Sequence, residues 1–304
     1  MSGTPREEVT LPGVPALPAL YRRALGLAAR RTMRRAPVAL AVPAVQHRVD
    51  GVRVDLRALT RFQQLLDSAA RDAVPSAYVH TLAFPVAMSV LVRPDFPLPL
   101  LGMVHLSNEV RQARRIDASE ALDVVAWAEH LRPHAAGTQV DVVLEVRVGS
   151  DVVWTGRSVY LARGVRLDTA DTAGTGGRRD EERPAFTAPT PTGLWRLGAD
   201  TGRRYAAVSG DWNPIHLSPL TAKALGMKTA IAHGMYLAAR MVDQAVPAPS
   251  GPLHWRIDFA TPVLLPGSVA TSFARAGDTG HRTDVVGWSA RRRRPHFTGW
   301  VRAE

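Results

Sequence analysis

Residues 205–216 read Tyr-Ala-Ala-Val-Ser-Gly-Asp-Trp-Asn-Pro-Ile-His, and this stretch decides how the rest of the chain is interpreted. Pro214 fixes its own φ angle and keeps Asn213 out of the helical region, so the stretch predicts a turn. A turn here brings the carboxylate of Asp211 and the imidazole of His216 to one side of the backbone. There they can act as a general acid/base pair on a shared water molecule. For the short pattern alone, the alternative is a surface turn in which Asp211 caps local N–H groups.

A second unit follows at residues 231–235, which read Ile-Ala-His-Gly-Met and predict the start of an apolar helix that runs toward Gln244. Gly234 lies at the predicted N-terminus, where unpaired N–H groups and the helix dipole attract negative charge. Glycine also lets a ligand carbonyl approach the backbone, so this position predicts an oxyanion hole. The alternative is a glycine that only allows tight packing of the helix on a sheet.

Between the two units, residues 218–226 predict a short helix. Ser218 is the expected N-cap, Pro219 takes the first helical position, and Gly226 ends the helix. The whole region from the turn to the apolar helix is therefore closely specified by local signals.

These stretches resemble the MaoC-like, hydratase-2 family of (R)-specific enoyl-thioester hydratases and 3-hydroxyacyl-thioester dehydratases. The clear resemblance covers residues 195–302, and the first half resembles the N-terminal halves of two-hotdog members such as the mycobacterial HtdX-type dehydratases. The positions that match the family pattern are Tyr205, Ser209, Gly210, Asp211, Asn213, Pro214, His216, Ala222, His233 and Gly234.

The resemblance implies an α+β double hotdog, in which antiparallel sheets each wrap around a central helix, and reversible syn addition of water to a trans-2-enoyl thioester. Asp211 and His216 would hold the water, Asn213 would orient the pair, and the Gly234 N–H would bind the thioester oxygen. Which member of the pair protonates carbon stays open. The residues expected to line the substrate site are Tyr205, Ser209, Gly210, His233 and Met235.

The length of 304 residues suggests two domains, and a degenerate repeat supports this division. Residues 79–88 are similar to the His-Gly unit and its helix, with Thr81 at the glycine position. Residues 57–66 stand where the turn motif would recur, but they contain no Asp-x-Asn-Pro-x-His, so we expect one active site per chain. The predicted boundaries are 1–50 for an N-terminal extension, 51–165 for a degenerate hotdog, 166–192 for a linker and 193–304 for the catalytic hotdog.

Both halves predict strands around one apolar helix. Residues 140–148 alternate between apolar and polar side chains, and residues 151–162 predict the partner of that strand in a hairpin. Residues 109–116 correspond to residues 256–263 of the second half. Because a lone hotdog leaves sheet edges uncovered, we expect the halves to pair as a pseudo-dimer with one continuous sheet. A homodimer of such double hotdogs is compatible with the sequence.

The basic segment at residues 21–35 is typical of an organellar presequence, of a membrane-surface helix, or of a structured extension. We favour an extension that packs on the first hotdog, because the acyl-thioester interpretation needs no targeting signal.

The formal net charge is +11, and the excess is nearly all arginine. Arginine binds phosphate through its planar fork, so a basic rim suits the phosphates of coenzyme A or the surface of an acidic acyl carrier protein. The arginines nearest to the motif in sequence are Arg203, Arg204, Arg240 and Arg256. A solvated charged face is the alternative for each of them.

Several function classes are disfavoured by the sequence. It contains no cysteine, which excludes disulfides and thiol catalysis, and neither a zinc-binding His-Glu-x-x-His nor a glycine-rich phosphate loop occurs. We therefore expect no cofactor and no metal. The run of four arginines at residues 291–294 predicts a hairpin turn, and no nucleic-acid-binding motif accompanies it. The apolar runs are too short to span a bilayer, so a cytoplasmic protein without membrane insertion is expected.

Two alternatives to a hydratase remain at this level. Hotdog proteins include thioesterases, which usually carry their carboxylate on the central helix, where Asp243 is the available residue. A non-catalytic subunit that binds acyl thioesters is the other alternative. It would need neither Asp211 nor His216, and the presence of both favours an enzyme.

Overall fold

The computed structural model describes residues 5–33, 41–166, 186–247, 251–277 and 281–303. Within these ranges the helices are α1 (Leu17–Met33), α2 (Leu56–Leu65), α3 (Ser76–Leu91), α4 (Thr201–Ser209), α5 (Pro219–Ala224) and α6 (Gly234–Ala245). The strands are β1 (Glu7–Thr10), β2 (Val45–Val52), β3 (Val104–Gln112), β4 (Leu122–His134), β5 (Gly137–Val148), β6 (Asp151–Arg163), β7 (Gly193–Leu197), β8 (Leu253–Phe259), β9 (Gly267–Arg275), β10 (Arg282–Ser289) and β11 (Arg294–Ala303).

The described strands form one eleven-stranded sheet in the order β1-β2-β4-β5-β6-β3-β8-β11-β10-β9-β7. β1 runs parallel to β2, and the other paired strands are antiparallel. The first half joins the second where β3 pairs with β8, with Glu109 opposite Arg256. The predicted α+β architecture with one continuous sheet is confirmed.

Two long helices, α3 and α6, are the central helices of the two units. Nearly every residue of α3 is buried, as expected for a helix that is apolar on all sides. It packs on β2, β4 and β5, while α6 packs on β8 and also contacts α3. The two units therefore share a helix contact as well as a sheet.

The predicted start of the first central helix was wrong. α3 begins at Ser76, directly after Pro75, whose carbonyl accepts the N–H of Tyr78 at 2.8 Å. Thr81 consequently lies in the second turn, where its hydroxyl donates to the Ala77 carbonyl at 3.3 Å. The reason is local, because a proline at the N-cap allows a helix to begin one turn before the position that the repeat suggested.

The N-terminal extension packs on the first unit, as predicted: β1 pairs with β2, and α1 contacts α3. β2 crosses the predicted boundary at residue 50 and hydrogen-bonds to β4, so the sheet of the first unit begins before residue 51. Of the predicted linker, residues 167–185 lie outside the described ranges. The other boundaries stay predictions. None of the helices in the described part of the chain combines the length and the hydropathy needed to cross a bilayer.

Two local predictions are confirmed. The Ser218 hydroxyl accepts the N–H of Thr221 at 3.2 Å, Pro219 is the first residue of α5, and Gly226 has a φ of 79° just beyond the helix. Three residues of the arginine run, 291–293, occupy the turn between β10 and β11, where Arg293 has a φ of 48°, and Arg294 begins β11.

The cores of the two units are continuous. Trp154 on β6 and Trp255 on β8 are both fully buried, and their indole N–H groups donate to the same Ser76 hydroxyl at 3.1 and 3.0 Å. This shared hydroxyl ties one strand of each unit to the start of α3.

Deleting residues 1–160 is therefore expected to leave an insoluble remnant, because it exposes the buried face of Trp255 and the paired edge of β8. The measurement is the soluble fraction after expression, with the full chain as the control. A soluble remnant that retains activity would contradict the pseudo-dimer.

Candidate active site

The motif begins where α4 ends. Gly210 has a φ of 72°, the left-handed conformation that glycine adopts without steric penalty, and its N–H still donates to the Ala206 carbonyl at 2.8 Å. The Ser209 hydroxyl accepts the Asp211 N–H at 3.2 Å. Ser209 and Gly210 therefore shape the turn that presents Asp211, and their contact with substrate stays a prediction.

The turn after Asp211 is held by side-chain oxygens. Oδ1 of Asp211 accepts the Asn213 N–H at 3.2 Å, and Oδ1 of Asn213 accepts the Ile215 N–H at 3.3 Å. Residues Pro214–His216 then form a single 3₁₀ turn. Asn213 therefore contacts the backbone just before His216, and its role in orienting the pair stays a prediction.

His216 is held in one orientation by a backbone carbonyl. Its Nδ1 lies 2.8 Å from the Ile231 carbonyl oxygen, and because a carbonyl only accepts, Nδ1 carries the proton. The N–H of Ile231 donates in turn to the Ile215 carbonyl at 3.1 Å. In the neutral ring, Nε2 is therefore the basic atom.

Asp211, His216 and His233 converge. Each offers one carboxylate oxygen or ring nitrogen, and these three atoms lie within 4.8 Å of one another. Nε2 of His233 lies 3.0 Å from the Asp211 carbonyl oxygen, and its ring stacks on that of His216 with 3.7 Å between centroids. A separation of this size between Asp211 and His216 suits one bridging water molecule, because two hydrogen bonds of ordinary length span it.

The same three residues are the candidate metal ligands of the described chain. Each imidazole directs one nitrogen to a backbone carbonyl, so each has one nitrogen left. The His233 nitrogen near the Asp211 carboxylate is Nε2, 3.8 Å from Oδ2, and its hydrogen bond to the Asp211 carbonyl requires that this nitrogen carry the proton. A protonated ring nitrogen does not bind a metal ion, so this hydrogen-bonding pattern favours a water site, and the absence of a metal stays a prediction.

Burial keeps both imidazoles neutral. It lowers the pKa of His216, against the opposing influence of the Asp211 charge and the Ile231 carbonyl. It lowers the pKa of His233 further, and the neighbouring His216 adds to this effect. Near pH 7 the site therefore presents an unprotonated Nε2 on His216, which is the state required of a general base.

Gly234 is the first residue of α6, and His233 is its N-cap. A Cβ atom on Gly234 would lie 2.9 Å from the Phe259 ring. The glycine is thus required for packing, which was the alternative considered from the sequence, whatever its N–H binds. Its role as an oxyanion donor stays a prediction, as does substrate contact by Met235, which is buried on the first turn of α6.

Tyr205 closes one side of the site. Its ring lies 4.7 Å from that of His233 and 5.9 Å from that of Tyr236. Burial raises its pKa, and a hydrogen bond with Thr81 opposes this shift. Tyr205 therefore stays uncharged, and its buried ring connects the unit that contains His233 to α3. Its contact with substrate stays a prediction.

The first unit supplies polar side chains that the sequence analysis missed. His105 stacks on Tyr160 at 4.5 Å and lies 5.1 Å from Phe259. Burial raises the pKa of Tyr160, and the Asp211 charge adds to the rise. The members of this polar wall are His80, His105, Asn108, Ser158 and Tyr160. Their positions follow from strand register, so no local motif marks them.

Acidification is expected to destabilise the protein through this wall. Burial lowers the pKa of His80 to about 4 and that of His105 to about 3. Below about pH 6.5 these two histidines bind protons in the unfolded chain but stay unprotonated in the folded chain. The stability therefore falls as the pH falls. The two residues together contribute about 2.4 kcal/mol per pH unit between about pH 6 and about pH 5.

Urea unfolding at several pH values measures this slope. A His105→Gln variant should lower the slope by about 1.2 kcal/mol per pH unit, whatever it does to the absolute stability. A free energy of unfolding that is flat over this range would contradict the prediction.

α4 approaches the backbone of His216 closely. A Cβ atom on Gly202 would lie only 1.8 Å from the His216 carbonyl oxygen, and the Arg203 guanidinium donates to the Leu217 carbonyl at 3.0 Å. Gly202 is therefore another residue that the sequence analysis missed, because a glycine inside a helix indicates close packing without identifying the partner.

The arginines considered for a carrier are largely committed to internal contacts. Arg256 pairs with Asp258 at 2.7 Å and with Glu109 at 3.2 Å. The Arg240 guanidinium lies over the Trp195 ring, 5.1 Å from its centroid. These contacts support the interpretation of Arg240 and Arg256 as structural charges.

The site can be compared with known proteins. A model of the family described as MaoC like domain matches residues 177–291. The 3-hydroxyacyl-thioester dehydratase X of Mycobacterium tuberculosis is 35% identical over 231 residues, which make up 76% of this chain and 79% of that relative.

Solved structures show the same likeness. A crystal structure of HtdX from Mycobacterium tuberculosis aligns with a TM-score of 0.72 at 30% identity, covering 85% of this chain and 100% of that chain. A MaoC-like dehydratase from Phytophthora capsici aligns with a TM-score of 0.67 at 17% identity, covering 88% of this chain and 97% of that chain. The second likeness concerns the fold alone.

Proposed function

The chain belongs to the MaoC-like family of hydratases and dehydratases, and on this basis we propose that it interconverts trans-2-enoyl thioesters and (R)-3-hydroxyacyl thioesters. The observation that carries the proposal is the convergence of Asp211 and His216 within 4.8 Å, beside the first turn of α6. A carboxylate and a neutral imidazole at this separation hold and polarise one water molecule.

In hydration, Nε2 of His216 is the atom suited to accept a proton from the bound water, since Nδ1 donates to Ile231. The hydroxyl oxygen bonds to C3 of the enoyl group, and the C2=C3 π pair moves toward the thioester carbonyl to form an enolate. The Asp211–His216 pair then returns one proton to C2 and regains its starting state. Because water and pair lie on one face of the substrate, the addition is syn.

The enolate requires a donor for its oxygen. The free N–H groups at the start of α6 carry the positive end of the helix dipole, and Gly234 is the first of them. Donors already oriented toward developing charge stabilise a transition state more than mobile water does. In this proposal the Gly234 N–H binds the thioester oxygen, and the Phe259 ring that packs against Gly234 holds the helix end in place.

The two alternatives receive less support from the contacts. Asp243, the carboxylate available on the central helix, accepts a hydrogen bond from Ser68 at 2.5 Å and does not belong to the convergent group. A binding subunit has no need of an oriented, unprotonated Nε2 on a buried histidine.

Incubating the pure protein with crotonyl-CoA tests the proposal. Loss of the conjugated enoyl absorbance without release of free thiol is the expected result. Thiol release would instead indicate a thioesterase, and binding without turnover would indicate a scaffold, and either outcome would reject the proposal. Comparing coenzyme A and acyl-carrier-protein thioesters over a series of chain lengths then identifies the carrier and the acyl group.

A further inference from the structure

Helix α1 presents one face to the rest of the protein. Leu17, Leu20 and Ala24 on this face are buried, with exposed fractions of 4, 7 and 4%. Their spacing is that of a single helical stripe, and Tyr21 lies within the stripe as its polar member. α1 packs against α3 of the first unit, so the face is fixed independently of the catalytic motif.

Tyr21 reaches the catalytic carboxylate. Its hydroxyl donates to Oδ1 of Asp211 at 2.6 Å, across 190 residues of sequence. Leu17, one turn earlier, supports the same contact, because its Cδ1 lies 3.5 Å from where a Cβ on Gly210 would be. The extension therefore contacts the motif at Asp211 and lies beside Gly210.

Because of this hydrogen bond, the two carboxylate oxygens of Asp211 have different roles. Oδ1 of Asp211 already accepts the Asn213 N–H at 3.2 Å, so the Tyr21 hydroxyl gives it a second donor. Oδ2 is the oxygen that faces the imidazoles, 3.8 Å from Nε2 of His233. Two donors on Oδ1 restrict rotation of the carboxylate and keep Oδ2 directed at the water site.

Tyr21 stays protonated over the working range of an enzyme. Burial raises its pKa, and the negative charge of Asp211 raises it further. The hydroxyl is therefore a constant donor rather than a group that exchanges its proton during turnover.

We propose that Tyr21 is a positioning residue of the active site, and that α1 completes the site by locking the orientation of the Asp211 carboxylate. This role rests on the proposed hydratase function. It gives the N-terminal extension a role in orienting the active site, beyond its packing on the first unit.

Tyr21→Phe tests the proposal, because it removes the hydroxyl and keeps the ring. We expect kcat to fall about 10- to 100-fold, as for other small displacements of a reacting group, with KM changed by less than about threefold. Leu25→Ala is the matched control: Leu25 is 59% exposed on the outer face of the same helix, and its replacement should leave kcat unchanged. A Tyr21→Phe enzyme with a kcat within about twofold of the wild type would overturn the proposal.

A double-mutant cycle with Asp211→Asn separates positioning from packing. If Tyr21 acts through Asp211, Tyr21→Phe should lower kcat little further in the Asp211→Asn background. The same four proteins give an unfolding cycle, in which the shifts in Tm should be non-additive, and this readout does not depend on the reaction catalysed. Additive shifts would overturn the proposal.

A wild-type protein without hydratase activity would reject the proposed function. An active wild type with an equally active Tyr21→Phe variant would reject this inference alone.

Discussion

Replacing either member of the convergent pair should nearly abolish turnover. Asp211→Asn and His216→Gln are each expected to lower kcat by about 10²–10⁴-fold, the usual contribution of a general acid or base. Asparagine keeps the shape of Asp211 but cannot take up and return a proton. Glutamine at His216 lacks the basic nitrogen that the Ile231 carbonyl orients toward the water.

Steady-state hydration of crotonyl-CoA gives the measurement, and circular dichroism verifies that each variant is folded. His281→Gln is the matched control, because His281 is exposed at the start of β10 and lies outside the convergent group. Near-full activity in either variant would remove that residue from the mechanism. Because the pair acts as a unit, the double variant should lose little more than the worse single one.

The second large effect is expected from a residue that cannot touch the substrate. A methyl group on Gly202 would come within 1.8 Å of the His216 carbonyl oxygen. The methyl carbon is fixed to the backbone of α4, and the oxygen that it meets is a backbone atom of the 3₁₀ turn that carries His216. Gly202→Ala must therefore move α4 away from this turn. We expect about a 10²-fold loss in kcat, because a displacement of about 1 Å has effects of this size. The overpacking should also cost about 1–3 kcal/mol of stability.

Gly26→Ala is the matched control for this change. Gly26 also lies in a helix, but a Cβ there meets nothing within 4 Å, so the substitution should stabilise the protein by about 0.4–1 kcal/mol. The measurements are the kcat and the free energy of unfolding in urea of both variants. If Gly202→Ala retained full activity, the close approach of α4 would not be what positions His216.

Local signals explain why much of the site could be predicted. The Asn-Pro turn, the Ser218 cap and the helix start at Gly234 all appear where the sequence places them. Each rests on hydrogen bonds or φ preferences within a few residues, and these operate before any tertiary contact forms. Alternation of apolar and polar residues similarly predicted β5 and its pairing with β6.

The errors arose where features outside the compared motif decided the structure. The repeat placed Thr81 at a helix start, but Pro75 starts α3 one turn earlier. The boundary at residue 50 fell inside β2, whose pairing with β4 is set by register and not by composition. In both cases a contact or a backbone restriction outside the compared motif decided the outcome.

The family resemblance of the motif indicated the fold class, and the sequence by itself predicted the turn between Asp211 and His216 and the helix start at Gly234, because these local features depend on short-range geometry. Only the tertiary structure decided that Tyr21 holds Asp211 from 190 residues away, that Gly202 seats α4 against His216, and that His105 and Tyr160 complete the wall. Such contacts arise when strands and helices from both units are brought together by burial of a common core. The residues next to one partner of such a contact in the sequence do not indicate which residue the other partner is.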